Sequence, residues 1–317
     1  MKETVGRFAP TPSGRMHLGN LFCGLLAWLA ARKENGKMIL RIEDLDPQRS
    51  RMEYAEKLQE ELLWFGLDWD EGGAKGGPHS PYIQSQCDTI YQAALEILKQ
   101  KGMLYPCFCS RAELHTANAP HLSDGRYLYS GACRHLTPEQ QAEKAKQKAP
   151  ALRVKVPEQV VCFEDLLYGA QQENLAQQAG DFMLCRADGV FAYQLAVVVD
   201  DLRMGVTQVV RGRDLLGCTP RQIWLSQQLG AEKLPEYGHI PLVLDSEGNR
   251  LSKRDGALSL DCLRERFTPQ QILGKLAFLT NLIDCPKEIS LQELIPLFEW
   301  GKIPKQDICL PKDLFES

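Results

Sequence analysis

The sequence predicts an α/β protein: a Rossmann-like parallel sheet, an insertion carrying a cysteine cluster, and a small helical C-terminal subdomain. Three observations carry that prediction. The chain opens strand, loop, helix, strand, the start of a βαβ unit, whose crossover implies parallel pairing. From Tyr105 to about Ala149 the character changes to cysteines, histidines and turn formers, which reads as an interruption of the sheet. Beyond Arg254 apolar residues recur mainly at helical spacing.

Taken in order, residues 4–8 (TVGRF) alternate and are β-prone, a first strand. Pro10, Pro12 and Gly14 force a loop. Leu18, Leu21, Phe22, Leu25, Leu26 and Leu29 then follow a helical period, and Asn35-Gly36 stops it. Residues 37–43 (KMILRIE) form a short apolar run of buried-strand type. Helices are expected near 51–65 and 87–101, the second ending at Gly102. Thr137-Pro138-Glu139-Gln140 is a capping box with proline at the first helical position. The sheet is expected to resume at 152–156, and again at 191–199 and 205–211. Thr268-Pro269-Gln270-Gln271 caps a helix with Ile272, Leu276 and Leu279 on one face. No internal repeat or low-complexity tract is visible.

A chain of 317 residues can bury a large core. Its 44% hydrophobic and 25% charged content is that of an ordinary soluble globular protein, which argues against a disordered or fibrous chain. The formal net charge of -4 means that any nucleic-acid contact must use a local basic patch and be salt-sensitive. The N-terminus shows no apolar leader, and the longest apolar run, 21–31, is too short to span a bilayer, so no membrane partner is expected. Eleven cysteines, an odd count, fit reduced thiols in the cytoplasm rather than a disulfide framework.

Two segments carry the chemistry. Residues 10–20 (PTPSGRMHLGN) put prolines, a glycine and an imidazole in a turn opening onto an apolar helix. Gly14 lets backbone approach a phosphate, and His17, with the unpaired N–H groups of the helix start, can donate to phosphate charge as it builds up. Residues 250–254 (RLSKR) follow the turn-forming run 245–249 (DSEGN). Lys253 supplies a mobile cation for a polyphosphate, and Ser252 keeps the loop compact. Taken singly, His17 reads as a helix cap and RLSKR as a solvated loop; their order around an α/β pattern favours a split nucleotide site.

Residues 10–20 resemble the HIGH motif, and RLSKR resembles the KMSKS motif, of class I aminoacyl-tRNA synthetases. RFAPTPSG, RIEDLD, GLDWDEG, YPCFC, YQLAVVVDD and VVRGRDLL narrow the resemblance to the glutamyl branch, from about Val5 to Arg254. The last HIGH position is Asn20, and the ends of KMSKS are Arg250 and Arg254. The chain runs only to residue 317 beyond that motif, where a full glutamyl-tRNA synthetase continues into an anticodon-binding region. It therefore resembles the glutamyl-queuosine tRNA(Asp) synthetases. That resemblance implies a class I synthetase fold and an ATP-dependent ligase, with Mg2+ accompanying ATP. It implies L-glutamate and queuosine-bearing tRNA(Asp) as partners, and a monomer. The alternative is a shortened glutamyl-tRNA synthetase esterifying the tRNA 3′ end.

The implied roles are His17 and Lys253 in catalysis, and His17, Gly19, Asn20 and Lys253 on ATP. The glutamate site is implied to comprise Arg7, Ala9, Thr11, Glu43, Tyr193 and Arg211. The chemistry suits that set: arginines fork onto carboxylates, Glu43 can hold the ammonium, and Tyr193 adds a hydroxyl and a flat wall. The bland alternative is that Glu43 and Asp44 pair with nearby arginines and Tyr193 is core. Cys107, Cys109 and Cys133 can supply thiolates to a structural zinc. The resemblance implies Tyr129 as fourth ligand through a Tyr-x-x-x-Cys pattern, and Cys133-Arg134-His135 offers His135 instead. The other eight cysteines are expected to be mostly buried small apolar residues. The division expected is 1–104, first half of the nucleotide-binding domain; 105–180, inserted subdomain; 181–249, second half; and 250–317, basic loop and helical subdomain.

Overall fold

The computed structural model describes residues 3–110, 113, 129–251 and 258–315. Its centre is a seven-stranded sheet built from β1 (Val5–Phe8), β2 (Lys37–Leu40), β3 (Glu71–Gly72), β6 (Val160–Asp165), β7 (Gly169–Asn174), β9 (Gln208–Gly212) and β10 (Glu236–Ile240). The order is β3-β2-β1-β9-β10-β6-β7. Every neighbouring pair is parallel except the β6–β7 hairpin at one edge. The predicted opening holds: α1 (Leu18–Lys33) crosses from β1 to β2 and ends before Asn35, whose φ is 53°.

The two faces of the sheet bury different sets. Met38 and Leu40 point to one cluster and Ile39 to the other, as a period of two requires. One face holds α1, which is buried nearly all round because the sheet covers one side and C-terminal helices the other. The other face packs α3 (Asp88–Gln100), α5 (Tyr193–Arg203) and α6 (Thr219–Gln228). Between α1 and α3, α2 (Met52–Phe65) ends at Gly66 in the left-handed conformation.

A second sheet of three antiparallel strands, β4 (Leu104–Cys107), β5 (Ala151–Val154) and β8 (Met183–Cys185), stands apart from the first. The expected strand at 152–156 is thus present but belongs to this smaller sheet. The expected strand at 191–199 is corrected: Tyr193–Arg203 is a helix. Its run LAVVV is equally apolar on every side, and length, not periodicity, separates a buried strand from a buried helix. The hairpin 160–174, inside the stretch expected as insertion, pairs with β10 in the main sheet.

Both capping boxes are in place. Thr137 opens α4 (Pro138–Ala145) and Thr268 opens α8 (Pro269–Leu279). The C-terminal part is helical as expected, with α7 (Leu260–Arg264) and α9 (Leu291–Leu297) flanking α8. It also adds a strand, β12 (Ile308–Cys309), paired with β11 (Val243–Leu244).

Candidate active site and cysteine cluster

Where the strand order reverses, between β1 and β9, a crevice opens at the carboxyl ends of the strands, the place where open α/β sheets take ligands. A cavity of about 490 Å³ fills it. Arg7, Ala9, Thr11, His17, Asn20, Glu43, Tyr193 and Arg211 all line this cavity, together with Gly14. Residues from four separate segments therefore meet as the motifs suggested. Gly19 does not line it; its N–H donates to His17 Nδ1 at 3.2 Å. Lys253, with Ser252 and Arg254, lies outside the described residues, and so does any test of its meeting His17.

His17 is the N-cap of α1, and Asn20 Oδ1 accepts from the His17 N–H at 3.3 Å. The capping role and the cavity position coexist. Backbone bridges bring Ser259 against His17 and Arg250 against Leu244, so the residues flanking the basic loop sit at this rim. The 245–249 turn forms as read, Asp245 Oδ1 accepting from Glu247 N and Asn249 N, both at 2.8 Å. Arg250 Nη1 reaches Asp214 Oδ2, another cavity residue, at 3.3 Å.

Buried charge backs the cavity at Arg7 and Glu43. Arg7 donates to Val210 O at 2.9 Å and lies 3.6 Å from Asp201. Arg41, wholly buried, sits between Asp201 at 2.6 Å, Glu43 at 3.1 Å and Asp200 at 3.7 Å. The bland reading of Glu43 is therefore half right: it does pair with an arginine, and it still lines the cavity. Burial pushes its carboxyl above the ordinary range, against the pull of Arg41 and Arg7. An entering ammonium would reverse that push. Asp44 finds Ser85, whose N–H and hydroxyl donate to it at 2.8 and 2.6 Å.

Arg211 is held from behind. Its Nε donates to His239 Nε2 at 3.0 Å, Nη2 donates to Thr219 Oγ1 at 2.8 Å, and Nη1 faces the Tyr193 hydroxyl at 3.4 Å. Tyr193 opens α5 rather than a strand, and burial raises its phenol. Cys23, on α1, also lines the cavity, and burial raises its thiol to about 11, so it is no nucleophile at neutral pH. Sequence reasoning missed Arg41, Asp201, Thr219 and His239. Only the paired acids ending the run YQLAVVVDD offered a signal, since an apolar helix face that ends in two carboxylates must pair them.

The cysteine cluster forms at the end of β4. The sulfurs of Cys107, Cys109 and Cys133 lie within 4.8 Å of one another, Cys109 and Cys133 at 3.7 Å. The Tyr129 hydroxyl stands 3.5 Å from Cys107 Sγ and 3.7 Å from Cys109 Sγ. His135 is exposed and outside this group. Two thiolates on one tetrahedral zinc sit about 3.8 Å apart, from Zn–S bonds of about 2.3 Å, so the donor set and its spacing fit that ion. The remaining cysteines depart from expectation: Cys162, Cys285 and Cys309 are exposed and only Cys87 is fully buried.

Comparison with known proteins agrees with this geometry. The family described as tRNA synthetases class I (E and Q), catalytic domain, matches residues 3–282. The chain is 50% identical over 312 residues to a glutamyl-Q tRNA(Asp) synthetase of Symbiobacterium thermophilum, covering 97% of this chain and 96% of that protein. It is 48% identical over 314 residues to one from Nitratidesulfovibrio vulgaris, covering 98% and 97%. Among solved structures, a glutamate tRNA ligase from Elizabethkingia meningosepticum in complex with its amino acid superposes with a TM-score of 0.84 at 28% identity. That match covers 99% of this chain and 68% of that one. Among the described residues no helix is long and apolar enough to cross a membrane.

Proposed function

The chain belongs to the glutamyl-Q tRNA(Asp) synthetase family of class I synthetases for E and Q, and on that premise we propose that it activates L-glutamate with ATP and transfers it to queuosine in tRNA(Asp). The observation that carries the reading is a single cavity joining the His17 helix start to two buried arginines, Glu43 and Tyr193. Glutamate has one cation and two anions. Glu43 takes the ammonium, and Arg7 and Arg211 take carboxylates. The nucleophile, a carboxylate ionised at neutral pH, needs no general base. Its oxygen attacks the α-phosphorus, pyrophosphate leaves, and the mixed anhydride acylates a hydroxyl on the cyclopentene ring of queuosine, releasing AMP. Catalysis then rests on positioning and charge stabilisation. His17 and the α1 N–H groups, with Gly19 and Asn20 shaping the turn, meet the developing phosphate charge. Lys253 would offset the polyphosphate charge, and the Mg2+ that accompanies ATP would supply further positive charge there.

The deciding experiment has two stages. Glutamate-dependent pyrophosphate exchange should run without any tRNA. Ester should then form on tRNA(Asp) carrying queuosine and not on queuosine-free tRNA(Asp). Ester on the unmodified tRNA would overturn this reading in favour of 3′-end charging.

Cys107, Cys109, Cys133 and Tyr129 would hold a structural zinc with its shell closed. Metal analysis of protein purified without chelator should find one zinc per chain, lost in Cys133→Ser with glutamate exchange largely kept. A metal-free protein of equal stability would remove the assignment.

A further inference from the structure

Behind Arg211 runs a buried polar chain that the proposed reaction leaves unused. His239 on β10 and Asp165 at the end of β6 are both fully buried, 0% exposed at the side chain. His239 Nδ1 and Asp165 Oδ2 are 2.6 Å apart, and His239 Nε2 receives Arg211 Nε at 3.0 Å. We infer that His239 and Asp165 are positioning residues for glutamate binding: a neutral imidazole, oriented by the carboxylate, fixes the Arg211 guanidinium in the plane that grips a substrate carboxylate. The inference rests on the reading of Arg211 given above.

The chemistry leaves one consistent proton arrangement. Arg211 Nε bears a hydrogen and no lone pair, so His239 Nε2 must be the unprotonated acceptor. The ring proton then sits on Nδ1 and is donated to Asp165 Oδ2. Asp165 cannot turn away, because its Oδ1 accepts from Leu167 N at 3.0 Å and Tyr168 N at 2.9 Å. It also receives the His239 backbone N–H, at 3.2 Å on Oδ2. Thr219 closes the arrangement: its hydroxyl accepts from Arg211 Nη2 and lies 3.2 Å from His239 Nε2. With Nε and Nη2 engaged, Arg211 cannot rotate in its plane, and Nη1 is held beside Tyr193 in the cavity. A protonated imidazole would aim an N–H at an N–H here, and burial indeed lowers the affinity of His239 for a second proton.

Three variants and one spectrum test this. In pyrophosphate exchange, His239→Leu should raise the KM for glutamate roughly tenfold or more, the scale of one lost hydrogen bond to a charged group, while kcat and the ATP KM stay close to wild type. His239→Gln should restore most of the loss, its amide oxygen facing Arg211 and its NH2 facing Asp165. Asp165→Asn should behave like His239→Leu. Its oxygen is claimed by the Leu167 and Tyr168 N–H groups, so its NH2 faces Nδ1 and drives the ring proton onto Nε2, against Arg211. Nitrogen-detected NMR of the wild-type imidazole should show the Nδ1–H tautomer. An Nε2–H tautomer, an unchanged glutamate KM in His239→Leu, or an equal rise in the ATP KM would overturn the role. Should His239→Leu fail to fold, the wild-type tautomer and Asp165→Asn decide. Wild-type protein without glutamate-dependent exchange would remove the parent reading and this role together. Wild-type exchange with an indifferent His239→Leu removes this role alone.

Discussion

Buried charge at the residue scale is organised around arginines. Arg41 answers three carboxylates, and Arg7 shares Asp201 with it, so Glu43, Asp200 and Asp201 each have a cationic partner. Glu61 on α2 is the contrasting case. It is 1% exposed, and among the described residues neither carboxylate oxygen has a hydrogen-bond partner. Burial, and Asp261 next, push its carboxyl up to about 7 against Lys57, Arg264 and Arg15. An unfolded glutamate titrates near ~4.3. The native state therefore holds the proton more tightly, and the stability this confers is complete below about pH 4 and is lost as pH rises through about 7. Glu61→Gln should lack that loss. Its urea midpoint relative to wild type should improve from pH 5 to pH 8, by a free energy on the order of 2 kcal/mol. A second residue-scale expectation concerns Lys253→Ala, which should lower the adenylation rate more than glutamate affinity under the proposed role, in which the lysine is asked to act on developing charge. Exchange kinetics with turnover intact and a raised substrate requirement would contradict it. Arg7, Glu43, Tyr193 and Arg211 were legible because their motifs are local. Arg41 and His239 were not, because a strand's sequence does not say what the neighbouring strand offers its side chains.

At the scale of elements, helix boundaries were the most readable features. Capping boxes, Asn35 and Gly102 act within one turn of chain and need no tertiary information. The presence of β2 and β9 followed from local apolar runs, but not their bounds: β9 begins at Gln208 rather than 205, and β2 ends at Leu40 rather than 43. The α5 segment misled because its burial is two-sided. The β6–β7 hairpin escaped because edge pairing is decided by β10, many residues away. Tight crossings between elements were equally invisible. Gly274 on α8 is one: a Cβ there would stand 1.8 Å from the Lys287 carbonyl oxygen. Backbone cannot yield as a side-chain tip can, so Gly274→Ala should cost on the order of 1–3 kcal/mol. Chemical denaturation at fixed pH measures it, and a midpoint within error of wild type would show that the 285–287 turn moves freely.

Across the whole molecule, the C-terminal helices are not an appendage. Leu260, Leu263, Ile272, Leu276 and Leu294 belong to the same apolar cluster as Leu21, Leu25 and Leu29 of α1. Polar ties reinforce the join: Arg15 and Lys57 both meet Asp261, at 2.8 and 2.7 Å, and Lys33 Nζ donates to Pro296 O at 2.7 Å. A chain ended after Leu251 would bare that face of α1, and it should be recovered as aggregate or bind a hydrophobic dye strongly. A soluble, cooperatively melting fragment would contradict the shared core.

The crevice lies on the seam between β1 and β9, and its two arginines stand on opposite banks, Arg7 on one strand and Arg211 on the other. An amino acid gripped by both would act as a rivet through that seam, fastening together parts of the polypeptide made early and late in synthesis.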